Sequence, residues 1–260
     1  MSNAATFGLT QARPAIRRLT MDDLTGSLRD GWADFMAIPT QLAFLSVIYP
    51  VVGLLAARAA DGGQILPLFF PLVAGLSLLG PVLAVGLYEL SRRREAGLPV
   101  SWRNAFDVFR SPALPAIGAL GIMLLLLFGL WIGVARAIYV GTIGEMAPDS
   151  VGSFLTLLQN SPRGLTLLVL GNLAGAVFAV VVLTLSVVSF PMLLDQNVGP
   201  GTAVQTSVRV VLANPVVMAV WGLIVAGILA LGCLPLFVGL AVAMPVLGHA
   251  TWHLYRRAVG

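Results

Sequence analysis

The 260-residue chain contains no lysine and one cysteine, and only 10% of its residues are charged. A soluble domain of ordinary composition is about 25% charged. That shortage, with 58% hydrophobic residues and a mean hydropathy of +0.94, excludes a cytosolic globular domain and a disordered chain. A core of this length cannot hide so much apolar surface, so lipid must cover much of it. The single thiol, Cys233, excludes an intrachain disulfide framework and a cysteine-rich metal site. Two histidines are too few for a haem–copper oxygen-reducing centre. Also missing are the Gly-x-Ser-x-Gly elbow, the phosphate-binding loop and the Gly-x-Gly-x-x-Gly turn. No catalytic residue and no cofactor is therefore expected. Residues 1–37 are polar, and no cleavable signal is expected there.

What the chain does contain is a set of apolar runs close to the ~20 residues that span a bilayer. They cover 40–57, 65–90, 113–140, 165–194, 216–231 and 236–254. The runs are apolar all round rather than alternating, which excludes a barrel. The expected fold is all-α: a polytopic bundle of six transmembrane helices with amphipathic interfacial helices. Gly232-Cys233-Leu234-Pro235 joins the last two runs as a tight hairpin. The expected organisation is a cytoplasmic segment 1–37, a membrane domain 38–255 with a periplasmic loop 141–164, and a cytoplasmic tail 256–260.

All fifteen cations are arginine, which suggests a GC-rich bacterial genome. Twelve of them (13, 17, 18, 29, 92, 93, 94, 103, 110, 209, 256 and 257) fall on the side of the termini. Arg58, Arg136 and Arg163 fall on the other. By the positive-inside rule both termini are cytoplasmic, in a bacterial inner membrane. The net charge of +4 is too small and too scattered for nucleic acid. Its expected partners are anionic lipid headgroups of the bilayer.

Three segments on the Arg-rich side repeat one pattern, an apolar stripe followed by proline. They are Leu24, Leu28, Trp32 and Phe35 before Pro39; Trp102, Phe106 and Phe109 before Pro112; and Val204, Val208, Val211 and Leu212 before Pro215. Spacings of three and four make each an amphipathic helix able to lie at the headgroup boundary. With Pro81, Pro191 and Pro245 recurring in the even-numbered runs, three repeated hairpins are one reading. Common linker composition is the other. On the opposite side, Pro148-Asp149-Ser150 caps a short helix containing Phe154 and Leu158.

Gly171, Gly175 and Ala179 form a small-residue ridge in the fourth run, suited to helix packing within the chain or with another subunit. Tyr88, Glu89, Asp195, His249 and His253 are the polar groups that the topology brings to the cytoplasmic ends of the even-numbered runs. Ionisable groups near membrane depth are costly and call for a partner or a role. Two readings stand: a proton-responsive or metal-binding pocket, or a network of salt bridges and helix-end hydrogen bonds. His249 and His253, four apart on one face, could chelate one metal ion, although the zincin Glu between them is absent.

Several of these stretches together resemble one family. They are Gly80-Pro81-Val82 through Tyr88-Glu89-Leu90-Ser91-Arg92-Arg93, and Ser189-Phe190-Pro191-Met192-Leu193-Leu194-Asp195. Ser207-Val208-Arg209 with Asn214-Pro215, Pro245 through His249-Ala250-Thr251-Trp252-His253-Leu254-Tyr255-Arg256, and Arg17-Arg18 with Asp22-Asp23 complete the set. They are similar to a bacterial family of six-span integral membrane proteins of unknown function, some of whose members carry cytochrome c oxidase labels. The resemblance implies no established activity. The expected function is a non-catalytic subunit or assembly factor of a larger membrane complex, a respiratory one among the candidates, with other membrane subunits or itself as partner. The alternative is a small-solute transporter or channel with a polar gate on the cytoplasmic side.

Overall fold

In lipid every backbone polar group must be satisfied within the chain, so apolar runs of this length become helices. A computed structural model describes residues 14–38, 51–55, 58, 63–145, 148–235 and 237–260. Among the described residues there is no strand, only an isolated antiparallel bridge between Ile16 and Val259. Four helical stretches are long and apolar enough to cross a membrane: Leu66–Glu95, Leu114–Ile143, Pro162–Asp195 and Pro215–Cys233. The expected first run, 40–57, lies mostly outside the described residues. The expected sixth run falls on a helix, Leu240–Ala258, that is not among the four. Its last turns hold His249, His253, Arg256 and Arg257, which lower its apolarity.

Prolines break the first of these spans into pieces. It comprises a 3-10 turn Gly63–Leu68, α2 (Phe69–Leu76), a 3-10 turn Ser77–Leu79, α3 (Gly80–Leu83) and α4 (Val85–Glu95), with α1 (Met21–Ala37) preceding them. Each proline removes an N–H and crowds the carbonyl four residues back. The Trp131 indole N–H donates to the Pro71 carbonyl at 2.8 Å, fixing this irregular stretch to α5 (Leu114–Ile143). After the short α6 (Val151–Asn160), capped by Ser150, α7 (Pro162–Ser186) breaks before α8 (Ser189–Asp195). Pro191 has no N–H to give the carbonyl of Val187, at the break. Thr184 and Ser186 donate to the carbonyls of Val180 and Val182 at 2.7 and 2.6 Å. Ser207, on α9 (Pro200–Ala213), donates to the Thr184 carbonyl at 2.8 Å and so pins the break from outside.

Two long helices finish the chain: α10 (Pro215–Cys233) and α11 (Leu240–Ala258). α11 is the central element, packed against α1, α4, α8 and α10, while α5 packs on α7. Ile16 pairs with Val259, and the Arg17 N–H donates to the Ala258 carbonyl at 3.0 Å, so both ends of the described chain meet at the Arg-rich end. Asn214, at the start of α10, receives the Leu19 N–H at 2.8 Å and ties the same segment to the α9–α10 junction.

All three amphipathic segments are helical: α1, the 3-10 helix Trp102–Arg110 and α9. Their buried faces are not simply their apolar stripes. α1 buries Leu24, Ser27, Gly31, Asp34 and Phe35, and leaves Trp32 half exposed. α9 buries Ala203, Thr206, Ser207 and Val210 and exposes Leu212. Trp102, Phe106 and Phe109 all point outward. Small and hydroxyl residues share the inward faces with Leu24, Phe35 and Val210, while Trp32, Leu212 and the three aromatics of the 3-10 helix turn out, as bulky apolar groups can where lipid is the surrounding medium.

Candidate functional site

The Arg-rich end gathers its ionisable groups in two neighbouring networks. The first forms where α1 crosses α11. The crossing is close because Gly31 lacks a side chain: a Cβ there would lie 2.5 Å from the Ala250 backbone nitrogen. This contact carries Asp34, one turn further along α1, into the space between α4 and α11, where its side chain is 6% exposed.

Asp34 is the hub. Its Oδ2 accepts from the Ser91 hydroxyl at 2.6 Å and from His253 Nε2 at 2.8 Å. Its Oδ1 pairs with Arg94 at 3.2 Å, and Arg94 also donates to the Ala33 carbonyl at 2.6 Å. Burial pushes the Asp34 carboxyl up, but the hydrogen bonds from His253 and Ser91 outweigh it and hold the group below the ordinary carboxylate range. Ser91 has one proton to give, and Asp34 takes it. The 2.8 Å contact between Ser91 Oγ and His249 Nδ1 is then a donation from the imidazole N–H. That assigns His249 the tautomer with the proton on Nδ1. Its Nε2 is buried and has no hydrogen-bond partner among the described residues. The lower part of the same crossing is closed by Arg257, which donates to Asp30 at 2.6 Å and to Ser27 at 3.4 Å. Burial raises the Asp30 carboxyl, and the Arg257 hydrogen bond brings it below the usual value.

The second network joins α4, α8 and α11. Glu89 accepts two hydrogen bonds from Arg92, at 2.7 and 2.8 Å, in bidentate geometry. Asp195 Oδ2 accepts from the Tyr255 hydroxyl at 2.6 Å and from Arg256 at 3.1 Å. Arg256 also reaches Glu95 at 3.0 Å, and the Trp252 indole donates to the other Glu95 oxygen at 2.9 Å. Tyr88 is buried beside Glu89, 2% exposed, in the core of α4.

The sequence-based cluster is thus distributed over two networks. His249 and His253 lie in the first; Glu89 and Asp195 lie in the second. Of the histidine pair, His249 Nδ1 is engaged by Ser91 and His253 Nε2 by Asp34, while His249 Nε2 stays without a partner among the described residues. Among the described residues, no group of three or more His, Cys, Asp or Glu side chains is arranged to hold a metal ion. Sequence reasoning missed Asp34, Ser91 and Glu95. The signal for Asp34 was present: an acid on the inward face of an amphipathic helix, one turn past the glycine. Of the packing ridge, Gly175 meets the Trp131 ring, with a would-be Cβ 3.4 Å from it, while Gly171 has nothing within 4 Å and Ala179 is exposed.

Chemically, these networks hold helices together and give a continuous hydrogen-bonded path from His249 through Ser91 and Asp34 to His253. Ser91 is fully buried, so no substrate reaches its hydroxyl. Residues 69–195 match the family described as "Predicted integral membrane protein (DUF2189)", whose function is unknown. No curated protein matches the chain. No solved structure matches it either.

Proposed function

We propose that this DUF2189 chain is a non-catalytic subunit or assembly factor of a larger complex in the bacterial inner membrane, with both termini cytoplasmic. The supporting observation is Asn172. It lies on α7, inside the stretch Pro162–Asp195 that is long and apolar enough to cross a membrane, nine residues past Arg163, or about 14 Å along the helix axis. Its side chain is exposed on an apolar face with Leu165, Val169, Leu173 and Val180 around it. Its Nδ2 donates to the Leu168 carbonyl at 2.8 Å, and its Oδ1 has no partner among the described residues. An amide oxygen facing hydrocarbon is costly, and a neighbouring helix that donates to it removes the cost. Gly171 and the exposed Ala176 lower the surface beside Asn172, so another helix can approach.

The buried carboxylates favour the same reading. Asp34 and Glu89 are engaged by side chains of this chain, as structural groups are. Gentle extraction followed by native mass spectrometry tests the proposal. The expected species is heavier than the 27.3 kDa chain, and Asn172→Leu returns it to that mass. A lone monomer, with no partner after cross-linking in the membrane, contradicts the proposal.

A further inference from the structure

A cavity of about 440 Å³ opens at the Arg-rich end, between the end of α4, the 3-10 helix Trp102–Arg110, the start of α5 and the end of α8. Its lining is mixed in sign. Arg92, Arg93 and Arg110 stand against Glu89, Asp107 and Asp195. Most of this charge is already matched inside the protein: Arg92 by Glu89, Arg93 by Asp107, and Asp195 by Arg256.

The unspent groups identify the ligand. Arg110 is exposed and makes no ion pair or hydrogen bond among the described residues. Arg92 uses Nε and Nη2 on Glu89, leaving Nη1. Asp107 and Asp195 each use only Oδ2, leaving Oδ1. The cavity therefore offers both guanidinium donors and carboxylate acceptors. A purely anionic ligand would leave the carboxylates facing it; a ligand with a phosphodiester and a primary ammonium satisfies both.

The setting identifies the source. Trp102, Phe106 and Phe109, on the helix that forms one wall, are 53%, 58% and 68% exposed. Outward aromatics on an amphipathic helix place it at the boundary between headgroups and acyl chains. Val108, Leu193 and Leu194 supply apolar lining beside the charged groups. We infer that this cavity binds the headgroup of a phosphatidylethanolamine molecule from the adjoining leaflet. Arg110 and Arg92 hold the phosphate, and Asp107 and Asp195 accept from the ammonium. A choline headgroup has the same phosphate but no N–H to donate. A glycerol headgroup carries no cation.

The test uses the full chain reconstituted into bilayers of equal phosphatidylethanolamine, phosphatidylglycerol and phosphatidylcholine with identical acyl chains. Native mass spectrometry then reads the lipid that stays bound. The ethanolamine lipid is expected to be retained over the other two. Arg110→Gln, at an exposed and unpaired site, is expected to weaken that retention about tenfold, as loss of a charge-assisted hydrogen bond does. Arg103→Gln, on the same helix but outside the cavity, is expected to leave it unchanged. Equal retention of the three lipids, preference for phosphatidylglycerol, or unaltered retention in Arg110→Gln overturns the inference. Saturable binding of free O-phosphoethanolamine with no retained diacyl lipid overturns the lipid source.

Discussion

Asp34 and His253 are 219 positions apart in the chain and 2.8 Å apart in space. Their contact fastens an amphipathic N-terminal helix to the last helix of the bundle. It explains why α1, which is polar on average, packs more extensively on α11 than on any other element. Ser91 and Arg94 bring α4 into the same contact, so three segments distant in sequence are fixed by one carboxylate.

Removing that carboxylate is therefore expected to be costly. Asp34→Ala leaves Arg94, His253 and Ser91 without their shared acceptor in a buried setting. The expected loss is about 3–5 kcal/mol, the range for breaking one side of a buried ion pair. Asp22→Ala, at an exposed position on the same helix, is expected to change stability by less than about 1 kcal/mol. Denaturation of the detergent-solubilised protein, followed by tryptophan fluorescence, checks both values.

The same contacts predict how the docking of α1 responds to acid. Asp34 and Asp30 both have carboxyls held below their usual value of 3.8 in the folded protein. A depressed carboxyl stabilises the fold fully above its unfolded pKa. That contribution is lost as pH falls from there through the folded value. α1 is expected to stay docked at pH 5 and to loosen below about pH 4. Hydrogen exchange of residues 21–37 against pH measures this, and Asp34→Asn with Asp30→Asn should flatten the profile.

Gly31 sets how closely α1 can approach α11. Any Cβ at this position meets the Ala250 backbone at 2.5 Å, and backbone cannot yield as a flexible side chain can. Gly31→Val is expected to destabilise by about 1–3 kcal/mol or to undock the helix. Gly118, on α5, has nothing within 4 Å of a would-be Cβ. Gly118→Ala is expected to be neutral or stabilising by up to about 1 kcal/mol, through the helix propensity of alanine. Thermal denaturation of the two variants side by side separates close packing from propensity.

Much of this architecture is legible in the chain, and the reasons differ by element. The helices announce themselves because hydrophobic length is a local property, and the proline positions foretell the broken span before Glu95 and the break ahead of Pro191. Glu89, Asp195, His249 and His253 are legible because a charge near an apolar run has few places to go. Their partners are not. Asp34 lies in a helix whose most visible feature is its apolar stripe, and nothing local connects it to a residue 219 positions away. The stripes give only part of the inward face: Leu24 and Phe35 of α1 are buried, but Trp102, Phe106 and Phe109 are not. In α9 Thr206 and Ser207 are buried beside Val210 while Leu212 is out, because in lipid an apolar side chain need not be buried in protein. Arg110 looks like one more cation in an Arg-rich stretch, and only the folded arrangement shows that its neighbours Arg92 and Arg93 are matched while it is not.

The central claim is that α7 meets a partner helix at Asn172 inside the membrane. Its most direct test is site-specific cross-linking in native membranes. With Cys233→Ser removing the one native thiol, Ala176→Cys places a new one on α7 a single turn from Asn172. The account predicts a cross-linked species that forms in the membrane, survives denaturing electrophoresis and is lost when Asn172→Leu is added. Efficient labelling of the new cysteine by a lipid-soluble thiol reagent, with no cross-linked species in either background, would contradict it.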